Sequence, residues 1–374
     1  MSSVVGKCCI LDTRHSTLDT LIMIRLKDIA ERAGVSVMTV SKALRDEADV
    51  SARTKTRIKL LAQQMGYVPD SSAQGLRSRS TKLFGLAISS LTNPIFSRVM
   101  LAIQERAHAM GYDVLLAHTL NVPEREEACV RRFLSRRVEG LFISPVYRIG
   151  SEARIYRELQ TRRLPTVVLG HTTPFCNQFV NVESDDLLGS YTATQYLLKL
   201  GHKRIAYFAG PQPTPWNQER FDGYRRALRE AEMDVDDKLV FQAGRTIEDG
   251  AKAALQLINE SSDATAIQAV NDLVAVGCAE TLLRQGVRIP QDMSIIGFGN
   301  VLLSEHFRVP LTTLRQPKFR LGMAAMDAME ALLRGERTES KRLPAELVVR
   351  GSTGIAPASQ GPRHLKQVSE QIIL

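Results

Sequence analysis

Val37, Met38, Ser41, Lys42 and Arg45 fall on one face of a short helical stretch. Two cations and a hydroxyl donate hydrogen bonds to exposed acceptors, and two apolar groups can meet methyls, a mixture suited to nucleic-acid contact. Such a face needs support. Val40 and Leu44, one turn apart, turn the other way. Upstream, Leu26, Ile29, Ala30 and Ala33 recur at i, i+3, i+4 and i+7, which puts an apolar stripe on a preceding helix. Gly34 can end that helix in the left-handed conformation, and Ser36 offers its hydroxyl as the cap of the next. The segment LKDIAERAGVSVMTVSKAL, Leu26 to Leu44, thus has the plan of a helix-turn-helix, whose second helix enters the DNA major groove. A third helix follows, capped by Ser51, striped by Ile58, Leu61, Ala62 and Met65, and ended by Gly66. Three short helices can bury a common core that two cannot.

Charge agrees with this reading. Residues 23–82 carry twelve Lys and Arg against six Asp and Glu, so six of the nine excess positive charges of the chain lie there. Phosphate contact requires such a local excess. At 374 residues, 44% hydrophobic and 24% charged, the chain reads as two or three globular domains. It has no run of about 18 apolar residues, so no membrane span is expected. The cysteines Cys8, Cys9, Cys129, Cys176 and Cys278 have neither metal-ligand spacing nor a paired framework, which fits a reducing cytoplasm. Residues 1–23 lack a signal peptide's apolar core; they are expected to be a disordered extension, or translation is expected to start at Met23.

Catalytic signatures are missing. No phosphate-binding Gly-x-x-x-x-Gly-Lys-Ser/Thr loop, no Gly-x-Ser-x-Gly elbow and no His-Glu-x-x-His zinc pair occurs. His171 and His202 stand apart from any such motif, and GFGN (297–300) lacks the third glycine of a dinucleotide fingerprint. An enzyme is not expected, nor is a metal or cofactor.

Beyond Lys82, β-rich runs alternate with amphipathic stretches. Strands are expected at 84–89, 112–118, 140–144, 166–169, 205–209, 239–242, 266–270 and 294–298, with helices between them. Repeated βα units imply parallel sheets covered by helices on both faces. They are too many for one sheet, and a break near 180–185 suggests two lobes, with a last helix (about 319–333) and strand (about 345–350) crossing back. Ligands in such folds bind beyond the carboxyl ends of the strands, here in the cleft between lobes.

The chain resembles the LacI/GalR family of bacterial transcriptional regulators, from about Ile24 to Thr353. The resemblance runs through an ordered series: IAERAGVSVMTVSKAL, GYVPDSSAQGLRSRST, SSLTNPIF, RRVEGLFISP, LGHKRIAYFAG, QERFDGYRRAL, QAVNDLVAVG, RIPQDMSIIGFGN and VPLTTLRQP. It implies an all-α helix-turn-helix headpiece (24–69), a hinge helix (70–81), and a two-lobed α/β periplasmic-binding-protein-like core (82–353) that crosses back near 315–345. A tail (354–374) follows. The implied partners are a double-stranded DNA operator, a second copy of the chain and a small-molecule effector. On this resemblance Val37, Met38 and Lys42 read bases, Lys42 donating to guanine O6 and N7 and the apolar pair packing on thymine methyls. Thr39, Ser41, Ser51 and Arg53 contact phosphates, and Leu76 wedges into the minor groove with Arg77 on phosphate.

In the cleft the resemblance places Ile95, Phe96, Asp185, Trp216, Arg220, Asn271, Gly299 and Gln316 around a carbohydrate-like effector. Asp272 is expected to cap the helix after Asn271. Gly299 stands where the family often has an acidic residue. With Arg220 present, that makes an acidic sugar or sugar phosphate a candidate. The rivals are a solute-binding protein for transport, which has no use for a basic headpiece, and a regulator whose cleft has lost its ligand.

Overall fold

The computed structural model describes residues 24–68, 80–150, 152–260 and 262–358. They divide into two compact units, one ending at Arg79 and the other beginning at Ser80. The first unit holds three helices, α1 (Leu26–Ala33), α2 (Val37–Leu44) and α3 (Ala52–Gln64). Gly34 ends α1 at φ +65°, where a glycine carries no Cβ penalty, and the Val35 amide donates back to the Ala30 carbonyl at 3.1 Å. Ser36 and Ser51 cap α2 and α3, their hydroxyls accepting from the amides of Thr39 (3.0 Å) and Thr54 (3.3 Å). Ile29, Ala30, Val40, Ala43, Val50, Ile58 and Ala62 form the buried core the stripes foretell, with Leu26, Leu44, Leu61 and Met65 packed around it.

The second unit is built on two six-stranded sheets. The first contains β1 (Leu83–Ile88), β2 (Asp113–His118), β3 (Gly140–Ile143), β4 (Thr166–Leu169), β5 (Val180–Asp185) and β11 (Lys341–Pro344) in the order β11-β5-β4-β3-β1-β2, all pairs parallel. Its helices are α4 (Ile95–Ala109), α5 (Pro123–Ser135), α6 (Arg154–Thr161) and α12 (Lys318–Leu333). The second sheet contains β6 (Ile205–Ala209), β7 (Val240–Gln242), β8 (Ala266–Ala269), β9 (Ser294–Phe298), β10 (Thr312–Arg315) and β12 (Glu346–Val348) in the order β12-β10-β9-β8-β6-β7, antiparallel only at β12. Its helices are α7 (Asp186–Lys199), α8 (Pro215–Glu230), α9 (Ile247–Asn259), α10 (Asp272–Arg284) and the short α11 (Leu302–His306). Each sheet has an apolar cluster on both faces, as the continuous Val, Ile and Phe runs of its inner strands require.

The chain passes between the sheets at Asp185–Asp186, between Arg315 and Lys318, and at Ala345. Three elements differ from the sequence reading. The stretch 180–185, read as a break, is a full strand whose alternate residues Val182 and Ser184 are buried. Thr312–Arg315 was not read as a strand, because the buried Thr312 and Thr313 side chains are polar and satisfied by hydrogen bonds rather than apolar. The single strand expected at 345–350 is two short ones, in different sheets.

Helices α9 and α10 approach closely through two glycines. A Cβ on Gly277 would lie 1.9 Å from the Ile247 carbonyl oxygen, and one on Gly250 2.2 Å from that of Val274. Backbone cannot yield as a side-chain end does. Gly277→Ala should therefore lower stability by about 1–3 kcal/mol, read as a lower denaturant midpoint at constant slope. An unchanged midpoint would show that the two helices can separate freely.

Candidate nucleic-acid interface and interlobe cavity

Helix α2 presents Val37 and Met38 to solvent, 45% and 55% exposed. Large apolar side chains left in water beside cations are available for contact. Lys42 lies on the same helix and pairs with Asp49 in the loop before α3. That bond, and the Asp49 charge behind it, hold the ammonium pKa above its ordinary value. The pair is exposed, so solvent screens it and a base edge or phosphate can replace Asp49 readily. Thr39 shares its hydroxyl with that of Ser36, and Arg53 and Ser51 are exposed at the start of α3. Ser41 departs from expectation. It is 8% exposed, and its hydroxyl accepts from Arg45 Nη1 at 2.7 Å, so it supports Arg45 from inside the outward face. Leu76 and Arg77 lie outside the described residues.

A cavity of about 650 Å³ opens between the two lobes at the crossings. Six of the expected residues meet there: Ile95, Phe96, Trp216, Arg220, Asn271 and Gln316 line it. Asp185 and Gly299 do not. Asp185 caps α7, accepting from the Leu188 amide at 3.0 Å, and its neighbour Asp186 faces the cavity instead. Gly299 has φ +134°, which favours glycine, and its amide and carbonyl are taken by Leu314 (2.8 Å) and Lys318 (2.6 Å). A Cβ there would sit in ordinary contact, 3.4 Å from Asp272 Oδ2, so an acidic side chain would set a second carboxylate beside one already present.

The roles of Asn271 and Asp272 are exchanged relative to expectation. Asn271 caps α10 through Oδ1, which accepts from the Val274 amide at 2.9 Å, while its amide group donates to the Arg245 carbonyl at 3.2 Å. Asp272 is buried in the wall, accepting from the Val301 amide at 2.8 Å and from the Thr313 hydroxyl. Burial pushes its pKa up despite those bonds.

Arg220 is 4% exposed and makes one corner of the cavity. Its guanidinium lies 3.8 Å from the Phe298 ring centroid and 5.0 Å from that of Trp216. Nη1 donates to the Val270 carbonyl at 2.6 Å and Nη2 to Asp186 Oδ1 at 3.0 Å. Nε has no partner. Burial raises the Asp186 pKa, opposed by Arg220 and His171.

His171, set aside in the sequence, belongs to this cluster. Its Nε2 lies 3.0 Å from Glu219 Oε2 and 3.8 Å from both Glu183 and Asp186. The ring is not aligned for a hydrogen bond, so attraction of charge rather than a directed bond joins it to Glu219. Burial opposes its protonation, yet the three carboxylates outweigh that and raise its pKa. No sequence motif could find this set, since its members stand on a loop, a strand and two helices and meet only in the folded chain. The wall beside it is held by the buried Glu126, which accepts from the Val146 amide (2.8 Å) and Tyr156 hydroxyl (2.7 Å) and pairs with Arg148, fixing the loop that carries Tyr147.

Asp186→Ala would leave the Arg220 charge buried and unmatched. It should cost about 3–5 kcal/mol in urea unfolding. A loss under about 1 kcal/mol would mean that water or another carboxylate takes its place.

Comparisons with known proteins agree with this fold. Residues 25–70 match the family of bacterial regulatory proteins of the lacI type, and residues 194–353 match the periplasmic binding protein-like domain. The chain is 30% identical over 335 residues to the HTH-type transcriptional repressor CytR of Escherichia coli strain K12, covering 89% of this chain and 97% of that one. It is 30% identical over 328 residues to the regulator DegA of Bacillus subtilis strain 168, covering 87% and 97%. Among solved structures, the lac repressor dimer bound to operator and the anti-inducer ONPF superposes with a TM-score of 0.79 at 27% identity, over 89% of this chain and 99% of that one. The complex of the regulator CelR with cellobiose gives 0.67 at 28%, over 88% and 99%. The chain belongs to the lacI family of bacterial regulatory proteins and is a DNA-binding transcriptional regulator.

Proposed function

We propose that the protein is an operator-binding repressor, working as a homodimer in the cytoplasm, whose DNA affinity is set by an uncharged polyhydroxylated effector in the interlobe cavity. The observation that carries this reading is the state of the cavity's polar groups. Among the described residues, Arg220 Nε, Ser184 Oγ and Gln316 Oε1 are buried without hydrogen-bond partners, whereas the charge of Arg220 is already answered by Asp186. Among the buried groups, donors and acceptors are left over; charge is not. Hydroxyl groups of a sugar-like ligand would satisfy them, with Trp216 and Phe96 offering apolar faces to its ring. The cellobiose complex of CelR supports the same class of ligand. A second reading, an acidic sugar or sugar phosphate, is favoured by Arg245, an exposed cation on the cavity wall.

Ligand bound across both lobes stabilises one relative orientation of them, and operator affinity follows by linkage. Val37, Met38 and Lys42 would read bases and Arg53 would hold phosphate. The operator-bound state of the lac repressor dimer is the precedent for the DNA side of that linkage.

Thermal-shift measurements against neutral sugars, nucleosides, acidic sugars and sugar phosphates separate these readings. A ligand at 100 times its Kd should add about 2.7 kcal/mol. Stabilisation by neutral polyols alone supports the first reading, and by anions alone the second. No stabilisation by any class would refute both. On the DNA side, Lys42→Ala should relax discrimination at one base pair by about 1–3 kcal/mol, whereas Arg53→Ala should weaken all sequences alike and reduce the salt slope by about one. Competition binding to operator variants reads both; a uniform loss for Lys42→Ala would assign it to phosphate.

A further inference from the structure

Glu219 stands on α8 in the second lobe, yet its charge partners belong to the first. Arg342, on β11, donates from Nη2 to Glu219 Oε1 at 2.7 Å, and the His171 ring, after β4, brings Nε2 to 3.0 Å from Oε2. Arg342 is itself fixed by Glu183 of β5, through Nε at 2.7 Å. One carboxylate therefore spans the lobes to two cation-forming groups. Those contacts depend on the relative orientation of the lobes.

We propose that Glu219 is an interlobe latch, closed on Arg342 and His171, and that a ligand reaching His171 in the cavity competes with Glu219 and releases it. His171 lines the cavity and Glu219 does not, so the histidine is the point where ligand and latch compete. The consequence for DNA affinity rests on the linkage proposed above; the latch itself does not. Glu219 is a positioning residue, since it acts through His171 and Arg342.

The groups facing His171 decide its pH response. Glu183 on β5, Asp186 on α7 and Glu219 on α8 present carboxylates; Arg220 on α8 and Arg342 on β11 oppose protonation from behind them; and the Tyr147 hydroxyl donates to the His171 carbonyl at 2.9 Å. The negative side prevails, and the pKa of His171 is raised when the latch is closed. A group whose pKa is raised by a contact stabilises that contact at pH below its ordinary value, and the contribution is lost as pH rises through the raised value. The latch is thus closed in mildly acidic solution and weakens as pH rises beyond the ordinary histidine range, upward from about 6.5.

The full chain carries one tryptophan, Trp216, on the cavity wall, so its access to a quencher reports whether the lobes stand apart. The test combines acrylamide quenching of Trp216 with NMR titration of ring-labelled histidine, His171 being assigned by its loss in His171→Asn. No ligand or DNA is present. In the unmodified protein, quenching should rise with pH at the His171 midpoint. Glu219→Gln should shift that midpoint down and raise quenching at both ends of the pH range. Arg342→Gln, which keeps the other two members, should raise quenching as well. Asp222→Asn, on the same helix and paired only within it, should behave as the unmodified protein. An unmoved midpoint in Glu219→Gln would overturn the proposal. So would a moved midpoint with unchanged quenching in both latch variants, since His171 would then titrate beside Glu219 without holding the lobes. A failed ligand screen leaves this result standing, so the two readings fail separately.

Discussion

The buried pair of Arg220 and Asp186 is the constraint around which the second unit is arranged. It lies where the chain first passes from one sheet to the other, and it ties the start of α7 to α8, to the carbonyl after β8 and to the Phe298 ring at the end of β9. A buried ion pair contributes little net stability, because desolvation offsets most of the attraction. Its contribution is position. Breaking it would release two helices and two strand ends at the point where both lobes meet the cavity.

The same economy of charge explains the cavity's chemistry. Glu183, Asp186 and Glu219 face Arg220, Arg342 and His171, so carboxylates and cations are close to balance before any ligand arrives. What remains, apart from the exposed Arg245, is a set of neutral donors and acceptors beside aromatic walls. Such a surface discriminates by hydrogen-bond geometry rather than by attraction of net charge. The headpiece is the reverse: its core is small and wholly apolar, and its chemistry is displayed outward on α2 and the start of α3.

Much of this architecture is legible in the sequence because periodicity and burial agree. The strands at 166–169, 205–209 and 294–298 coincide with the runs that mark them, and the helix caps at Ser36 and Ser51 follow from residue type alone. Strands lined by function are harder to read. Val180–Asp185 looks broken because one of its faces carries Glu183 and Asp185, and Thr312–Arg315 hides because buried threonines imitate a loop. Within the cavity, six residues were placed by resemblance, but Asp186 was mistaken for its neighbour and the Asn271–Asp272 pair was read in reverse. A carboxylate and a carboxamide can each cap a helix; which of the two turns inward depends on Thr313 and Val301, contributed by distant strands and loops. His171 and Glu219 were invisible for the same reason: their relationship is purely tertiary.

The central claim is that ligand in the cavity and DNA on the headpiece are linked. Its most direct test is the affinity of the protein for an operator selected from random duplexes, measured by anisotropy at fixed salt, with and without a saturating cavity ligand. The account predicts a change of about 5- to 150-fold, and an equal change in ligand affinity when operator is present. Identical operator affinity in the two conditions would contradict it, and would leave the cavity a binding site without regulatory consequence.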